Sequence, residues 1–139
     1  FILSKNYYDY IVHLRATSPQ ISSEIINSAV KIFEENYEKI DSLRSVIKSE
    51  FSPFKMWFIQ KSGKMTPSIP GNTSHSSPRQ TLQQAYFQNA CIDIVKSSTI
   101  INKKSMVGDV CLPYIMKDCY NLDIDTYTDL KEAKEKIER

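Results

Sequence analysis

Apolar positions along the chain follow two different periods, and this predicts a mixed α/β fold. Tyr10–Leu14 is a short apolar run between polar residues, as in a buried strand. After a turn at Thr17–Pro19, apolar residues recur at helical spacing from about Ser23 to Tyr37, and Ser22 or Ser23 is the expected N-cap. A strand, a turn and an amphipathic helix in this order predict an α/β unit.

Later segments of the chain have the composition of strands. Lys55–Gln60 is rich in aromatic and branched residues, a turn follows at Lys61–Lys64, and Met65–Ile69 is the expected returning arm of a hairpin. The other predicted strands are Leu43–Ile47, Ala90–Val95 and Val110–Met116. Because the last of these contains Pro113, we expect either an edge strand or an irregular strand.

Two further helices and one long loop complete the predicted elements. Ser97–Lys103 reads as a short helix, and Thr126-x-x-Asp129 resembles a capping box that opens a terminal amphipathic helix. Residues 70–78 are rich in Pro, Gly, Asn and Ser. A loop of that length in a compact domain is expected to be either mobile or functional.

Composition narrows the function classes. The 139 residues are enough for one domain, and 18 basic against 16 acidic residues leave a net charge of +2. That balance gives no reason to expect nucleic acid or an anionic membrane as a partner. The sequence contains neither a run of membrane-spanning length nor a secretory signal pattern. Cys91, Cys111 and Cys119 lack metal-site spacing, so we expect reduced, mostly buried thiols in a cytoplasmic protein.

Glycine is scarce in this chain, with 3 residues, and neither common phosphate-loop motif occurs. Phosphate cradles need glycine so that backbone N–H groups can approach the ligand closely. If the protein binds a nucleotide, the phosphate cradle lies outside this stretch.

A pair of carboxylates near the end of the chain is the first candidate for chemistry. Asp123 and Asp125 are two apart in an alternating segment, so in a strand both would face one side. Two such carboxylates can hold a hard cation such as Mg²⁺. The alternative is a solvated acidic strand end, and Asp129 is expected to act as a helix cap.

Several other polar residues lie at expected strand ends. Arg15 follows the first strand, where α/β proteins bind ligands, and its planar guanidinium pairs with carboxylate or phosphate. His13 is expected to be a hydrogen-bonded core residue, and His75 to be exposed. Trp57 and Phe58 are expected to be either core residues or interface anchors.

The order of three motifs resembles one known family. Tyr10–Pro19, YIVHLRATSP, resembles the central L-x-x-T-S-P strand of the acylneuraminate (CMP-sialic acid synthetase type) cytidylyltransferases. Arg79–Gln80 followed by Tyr86–Ile94 resembles that family's R-Q…N-G-x-x-x-I segment, and Leu122–Leu130 resembles its closing I-D-I-D-T-x-x-D-L motif. The resemblance extends along essentially the whole chain.

The resemblance implies a fold and a domain organisation. It implies a Rossmann-like α/β nucleotidyltransferase with a mostly parallel sheet and flanking helices. Residues 1–139 would form a single, incomplete domain without the N-terminal nucleotide-binding segment. A hairpin and loop insertion at about residues 53–80 would protrude and form dimers.

The resemblance also implies a reaction. Family members transfer CMP from CTP to an acidic nine-carbon sugar and release pyrophosphate, with Mg²⁺ or Mn²⁺ as cofactor. The expected partners are therefore CTP, an acidic sugar such as N-acetylneuraminate and a second copy of the chain, with neither nucleic acid nor membrane. The isolated chain is expected to be inactive.

Residue roles follow from the matching positions. The resemblance implies metal ligation by Asp123 and Asp125, and catalytic contacts from Arg15, Lys55 and Arg79. The same three basic residues are expected to bind substrate, together with Thr17, Ser18, Gln80, Asn89 and Asp93.

The chain departs from the family pattern at three places. Gln20 and Ile21 stand where an Arg is usual, Ala90 replaces a Gly, and Arg15 replaces a Gln found in many sialic acid enzymes. The last difference points to a legionaminic or pseudaminic acid type of acceptor. Two alternatives stay open: a 3-deoxy-manno-octulosonate cytidylyltransferase, and a non-catalytic dimerising remnant of the fold.

Overall fold

The structure, a computed structural model, describes residues 7–19, 21–117 and 124–137. The described chain divides into two compact units. The first contains the chain up to Ile47 and from Gln88 onward, and the second contains residues 48–87. The second unit includes the insertion expected at about residues 53–80.

The first unit is built on a four-stranded sheet. Its strands are β1 (Tyr10–Leu14), β2 (Ser42–Lys48), β5 (Tyr86–Lys96) and β6 (Cys111–Ile115), in the spatial order β1-β5-β2-β6. The helices are α1 (Ser23–Glu35), α2 (Ser97–Lys103) and α3 (Tyr127–Ile137). The predicted α/β class and the edge position of the Pro113 strand are confirmed. None of the described helices is long and apolar enough to cross a membrane.

Strand β5 runs against its neighbours. It pairs antiparallel with β1, whereas β2 pairs parallel with β6. The N–H of Lys96 donates to the Asp41 carbonyl at 3.1 Å, and the N–H of Ile92 donates to the Ser45 hydroxyl at 3.0 Å, so β5 is also antiparallel to β2. Strands β1, β2 and β6 therefore share one direction and end at the same edge. The sheet is mixed, and the expected predominance of parallel neighbours does not hold among these four strands.

Helix α1 covers one face of this sheet. Ser22 caps it as predicted, because its side chain accepts a hydrogen bond from the N–H of Ile25. The helix packs its buried side into a core whose fully or nearly buried members are Ala29, Phe33, Ile40, Leu43, Ile92 and Ile94. These apolar contacts supply the main stabilisation of the unit and fix which face of each strand points away from α1.

The second unit contains a two-stranded hairpin. Strands β3 (Trp57–Ile59) and β4 (Met65–Pro67) pair antiparallel around Gly63, whose positive φ of 79° suits a tight turn. The predicted hairpin is confirmed with shorter arms. A short 3₁₀ turn at Ser74–Ser76 lies within the part predicted as a long loop, and another follows that loop at Arg79–Thr81.

An ion pair with backbone hydrogen bonds around it connects the chain at one end of the sheet. This end lies opposite the C-terminal ends of β1, β2 and β6. The Asp41 carboxylate accepts hydrogen bonds from the Lys103 ammonium and from the N–H groups of Asp109 and Val110. The Lys103 ammonium, followed by these N–H groups, lowers the pKa of the Asp41 carboxyl far below its usual value. Hydrogen bonds to Asp109 and Asp41 raise the pKa of Lys103. The loop carrying Gly108 therefore lies directly on Asp41.

Replacing Gly108 by Ala tests this close contact. A Cβ at Gly108 would lie 2.3 Å from the Asp41 Cβ, and the residue has a φ of 72°. Gly63 has a similar φ of 79° with open space around it, so Gly63→Ala is the matched control. We expect a loss of about 1 kcal/mol for Gly63→Ala and roughly 2–4 kcal/mol for Gly108→Ala, measured by urea denaturation. Equal losses would contradict the described contact.

Candidate functional site

The turn after β1 contacts the segment before α3 at the end of the sheet where β1, β2 and β6 terminate. The N–H of Ile124 donates to the Thr17 carbonyl at 3.0 Å. This hydrogen bond connects the Thr-Ser-Pro turn with the segment that leads into Asp125. In α/β sheets, ligands bind beyond the carboxyl ends of the strands, and this is the edge concerned.

The polar side chains of the Arg15–Pro19 turn differ in their solvent exposure. Arg15 is exposed, Thr17 is half-buried and Ser18 is buried. The N–H of Ser18 donates to the Arg15 carbonyl at 3.2 Å, which closes the turn. The buried Ser18 hydroxyl has no hydrogen-bond partner among the described residues. A buried hydroxyl without a partner is costly, which makes Ser18 a candidate group of this site.

The acidic segment is only partly described. Asp123 lies outside the described residues, so its predicted role stays a prediction. Asp125 is exposed, and its N–H donates to the Asp129 carboxylate at 3.1 Å. The described residues contain no group of three or more His, Cys, Asp or Glu that could hold a metal ion. Because Mg²⁺ is commonly held by one or two carboxylates plus substrate phosphates, the donor chemistry of Asp125 still fits that ion.

The capping box predicted at the start of α3 is confirmed. Asp129 accepts a hydrogen bond from the Thr126 N–H at 2.7 Å, and Thr126 Oγ1 accepts one from the Asp129 N–H at 3.3 Å. Hydrogen bonds from Thr126 lower the pKa of the Asp129 carboxyl. The cap fixes the backbone directly after Asp125, so the position of Asp125 depends on it.

Asn89 and Ala90 of β5 lie at the same end of the sheet. Asn89 is buried, and its side-chain N–H donates to the Met116 sulfur at 3.5 Å, just beyond the end of β6. Ala90 has a φ of 57°, a left-handed backbone inside strand β5. A left-handed residue within a strand is typical of a β-bulge, and glycine is the residue that adopts it without strain. Ala90 therefore adopts this conformation at a cost in free energy that glycine would not have.

A buried acidic residue follows three positions further along β5. Asp93 is 3% exposed and lies opposite His13 of β1. One carboxylate oxygen is 3.4 Å from Arg44 Nε, and the other is 4.0 Å from His13 Nδ1. Gln88 accepts a hydrogen bond from the same arginine at 3.2 Å. Asp93 was a candidate from the sequence, whereas Arg44 and Gln88 were not.

His13 corrects a sequence expectation. We expected a core residue, but its side chain is 48% exposed because the alternation of β1 turns it away from α1. Arg44 could have been noticed as a charged residue in the middle of an apolar strand. Such a residue needs a buried partner or an opening to solvent.

The basic residues predicted to face an acidic sugar lie in the second unit. Lys55, Arg79 and Gln80 are exposed there. Lys55 and Arg79 line one open cavity of about 200 Å³, whose remaining lining residues are Glu50, Phe51, Ser52 and Met56. The Arg79 guanidinium also donates to the Glu50 carbonyl. The structure therefore brings together two of the three cations predicted to be catalytic.

Two further expectations about aromatic rings have different outcomes. Trp57 and Phe58, expected to be either core residues or interface anchors, are exposed on β3, so the second alternative stays open for them. Tyr86 and Phe87, at the start of β5, are exposed as well. His75 was expected to be exposed, yet it is half-buried, with its ring centre 5.0 Å from that of Trp57.

Of the cysteines, Cys91 is buried and Cys111 is exposed, and both are free thiols; Cys119 lies outside the described residues.

Comparison with known proteins shows a distant similarity to a flagellin modification protein. The chain is 28% identical over 127 residues to the post-translational flagellin modification protein B of Campylobacter coli. The match covers 91% of this chain and 52% of that protein, so the chain spans about half the length of the curated relative it matches. No protein-family model matches the chain.

Because Ala90 has a left-handed backbone, we expect the stabilities of variants at this position to run against the usual strand preferences. Ala90→Gly relieves left-handed strain but loses a methyl group and adds chain entropy, so we expect a change within about 1 kcal/mol. Ala90→Val should cost more than about 2 kcal/mol, because a β-branched residue tolerates positive φ least. Thermal unfolding by circular dichroism measures both. If Val were the most stable of the three, Ala90 would have ordinary strand geometry.

Proposed function

We propose that this chain forms the acceptor-binding and metal-binding part of a cytidylyltransferase. The reaction transfers CMP from CTP to an acidic nine-carbon sugar, N-acetylneuraminate or a legionaminate- or pseudaminate-like acid, and releases pyrophosphate. The observation that carries the proposal is the hydrogen bond between Ile124 and Thr17. It supports the idea that the Thr-Ser-Pro turn and the Asp-Ile-Asp segment, two motifs far apart in sequence, act at one strand edge.

The distant relative also supports this proposal. That protein is named for the post-translational modification of flagellin. A nucleotide-activated sugar is one donor that protein modification consumes, so an enzyme that activates an acidic sugar fits such a role. The family motifs and the relative both support the coarse function, and the acceptor itself is our proposal.

The proposed metal site uses oxygen ligands. Asp123 and Asp125 would hold Mg²⁺ or Mn²⁺, which when bound supplies positive charge to the phosphate oxygens of CTP. The chain's own residues do the rest. Arg15, exposed beside the turn, pairs with an anionic group of the bound substrates, and the Ser18 hydroxyl donates to a substrate oxygen.

The cavity of the second unit suits the carboxylate of the acceptor. Lys55 and Arg79 give it two positive charges against the one negative charge of Glu50. An anion bound there would contact both cations, which would fix its orientation. Gln80, next to Arg79, would add a neutral donor and acceptor.

We also propose that the protein works as a homodimer through the hairpin. Phe58, Ile59 and Met65 are 63%, 76% and 57% exposed, and they lie on the paired strands β3 and β4. Exposed aromatic and aliphatic side chains grouped on one element are typical of contact surfaces. A second copy of the chain would bury them.

A transfer assay tests the proposed reaction. The chain with its native upstream sequence is incubated with CTP, Mg²⁺ and each of four acids: N-acetylneuraminate, legionaminate, pseudaminate and 3-deoxy-manno-octulosonate. We expect CMP transfer to a nine-carbon acid. Asp125→Ala should lower kcat by roughly 100-fold or more, because a misplaced metal loses several kcal/mol of charge stabilisation.

Glu135→Ala is the matched control, since it removes one exposed carboxylate from α3 within ten residues of Asp125. It should leave kcat unchanged. Transfer to the eight-carbon acid alone would favour the octulosonate alternative. No transfer to any of the four acids, or an Asp125→Ala variant as active as the control, would overturn the proposed function.

A further inference from the structure

The two cations of the cavity in the second unit are held in different ways. Arg79 is held through its side chain, because its guanidinium donates to the Glu50 carbonyl. Lys55 ends a short 3₁₀ turn, Pro53–Lys55, and its N–H closes the turn by donating to the Ser52 carbonyl at 3.0 Å. A lysine ammonium sits on a flexible four-carbon stem, so its position depends on how firmly the backbone below it is fixed.

Ser68, which directly follows β4, donates two hydrogen bonds to the backbone around Lys55. Its N–H donates to the Met56 carbonyl at 2.9 Å, and its hydroxyl donates to the Pro53 carbonyl at 2.8 Å. These two carbonyls lie on either side of Lys55 in the chain. Ser68 therefore bridges the beginning of the 3₁₀ turn and the residue directly after it.

Asn72 adds a third hydrogen bond to the same backbone. Its side-chain N–H donates to the Phe54 carbonyl at 2.7 Å, directly before Lys55. Its side-chain oxygen accepts a hydrogen bond from the Ser74 N–H at 2.8 Å. An asparagine amide can both donate and accept. This side chain therefore fixes the loop to itself and to the 3₁₀ turn at once.

The loop also contacts the strand that follows Lys55. The ring of His75 lies edge-on to the ring of Trp57 on β3, with their centres 5.0 Å apart. Residues 68–76 thus hold the chain directly before and directly after Lys55, and we call them the brace. They contain most of the loop that the sequence predicts to be either mobile or functional.

The brace acts on the backbone and stays outside the cavity. Its three hydrogen bonds from Ser68 and Asn72 all end on carbonyl groups, and neither residue lines the cavity. A cation whose backbone is fixed before the ligand arrives loses less conformational freedom on binding, so the ligand binds more tightly.

We propose that the brace positions Lys55 for the anionic group of the acceptor, with Ser68 and Asn72 as positioning residues. This inference rests on the proposed function and deepens it, because it places a determinant of acceptor affinity outside the cavity. It also requires that both residues act through Lys55.

Kinetics of brace variants test the proposal in the protein with its upstream sequence. We expect Asn72→Ala to raise the acceptor KM roughly 5- to 20-fold with the KM for CTP unchanged. Ser68→Ala, which loses only the hydroxyl bond, should give a smaller rise. Thr73→Ala is the matched control, since this exposed side chain makes no cap hydrogen bond.

An acceptor KM of folded Asn72→Ala equal to that of Thr73→Ala would overturn the proposal. If Asn72→Ala did not fold, Ser68→Ala would decide in the same way, because it keeps the hydrogen bond from the Ser68 N–H.

A double-mutant cycle separates positioning from general support of the fold. Once Lys55→Ala has removed the cation, adding Asn72→Ala should change the acceptor KM by less than about twofold. If the two substitutions multiplied their separate effects, the loop would act independently of Lys55, and the positioning role would be wrong.

Binding without turnover distinguishes this proposal from the proposed reaction. N-acetylneuraminate is titrated into the protein without CTP by isothermal titration calorimetry, with glucose as a sugar that lacks a carboxylate. We expect binding of the acid alone, weakened by Asn72→Ala and not by Thr73→Ala. That pattern without any CMP transfer would support the brace and overturn the reaction. Transfer with equal affinities in the two variants would overturn the brace alone, and absence of both binding and transfer would overturn both.

Discussion

The whole site depends on one constraint, the reversed direction of strand β5. Strand β5 is antiparallel to both β1 and β2, so the C-terminal ends of β1, β2 and β6 lie at the same end of the sheet. The N-terminal part of β5, which includes Asn89 and Ala90, lies at this end too. Backbone hydrogen bonding and the apolar contacts under α1 fix this register. Polar residues distant in sequence therefore meet without any of them having to stabilise the fold.

The same strand carries two local features that oppose ordinary strand stability. Ala90 adopts a backbone conformation that a Cβ disfavours, and Asp93 is a charge in a buried position. Both cost free energy unless something compensates, and departures from local rules concentrate at functional sites. The geometry relates them, because the bulge at Ala90 allows Gln88 and Asp93 to share Arg44. This coupling gives the left-handed residue a structural role in the strand.

The local elements could be predicted from the sequence, and their partners could not. The periodicity from Ser23 onward, the Ser97–Lys103 helix and the Thr126–Asp129 cap are local patterns, and the structure confirms them. Strand β5 was predicted too short because its first residues, Tyr86–Asn89, lack apolar alternation, and all of them except Asn89 are exposed. The exposure of His13 depends on which face α1 covers, and the recruitment of Arg44 depends on cross-strand register. Neither is encoded within a window of a few residues.

We propose that a divalent cation binds beside the Thr-Ser-Pro turn, at the end of the sheet where the Ile124 N–H donates to the Thr17 carbonyl. Paramagnetic broadening of backbone NMR signals by Mn²⁺ tests this placement. We expect the amide signals of Thr17, Ser18 and Ile124 to broaden first, and replacing Asp123 and Asp125 by Ala to abolish the effect. Broadening centred on Asp41 and Asp109, or unchanged in the double variant, would contradict it.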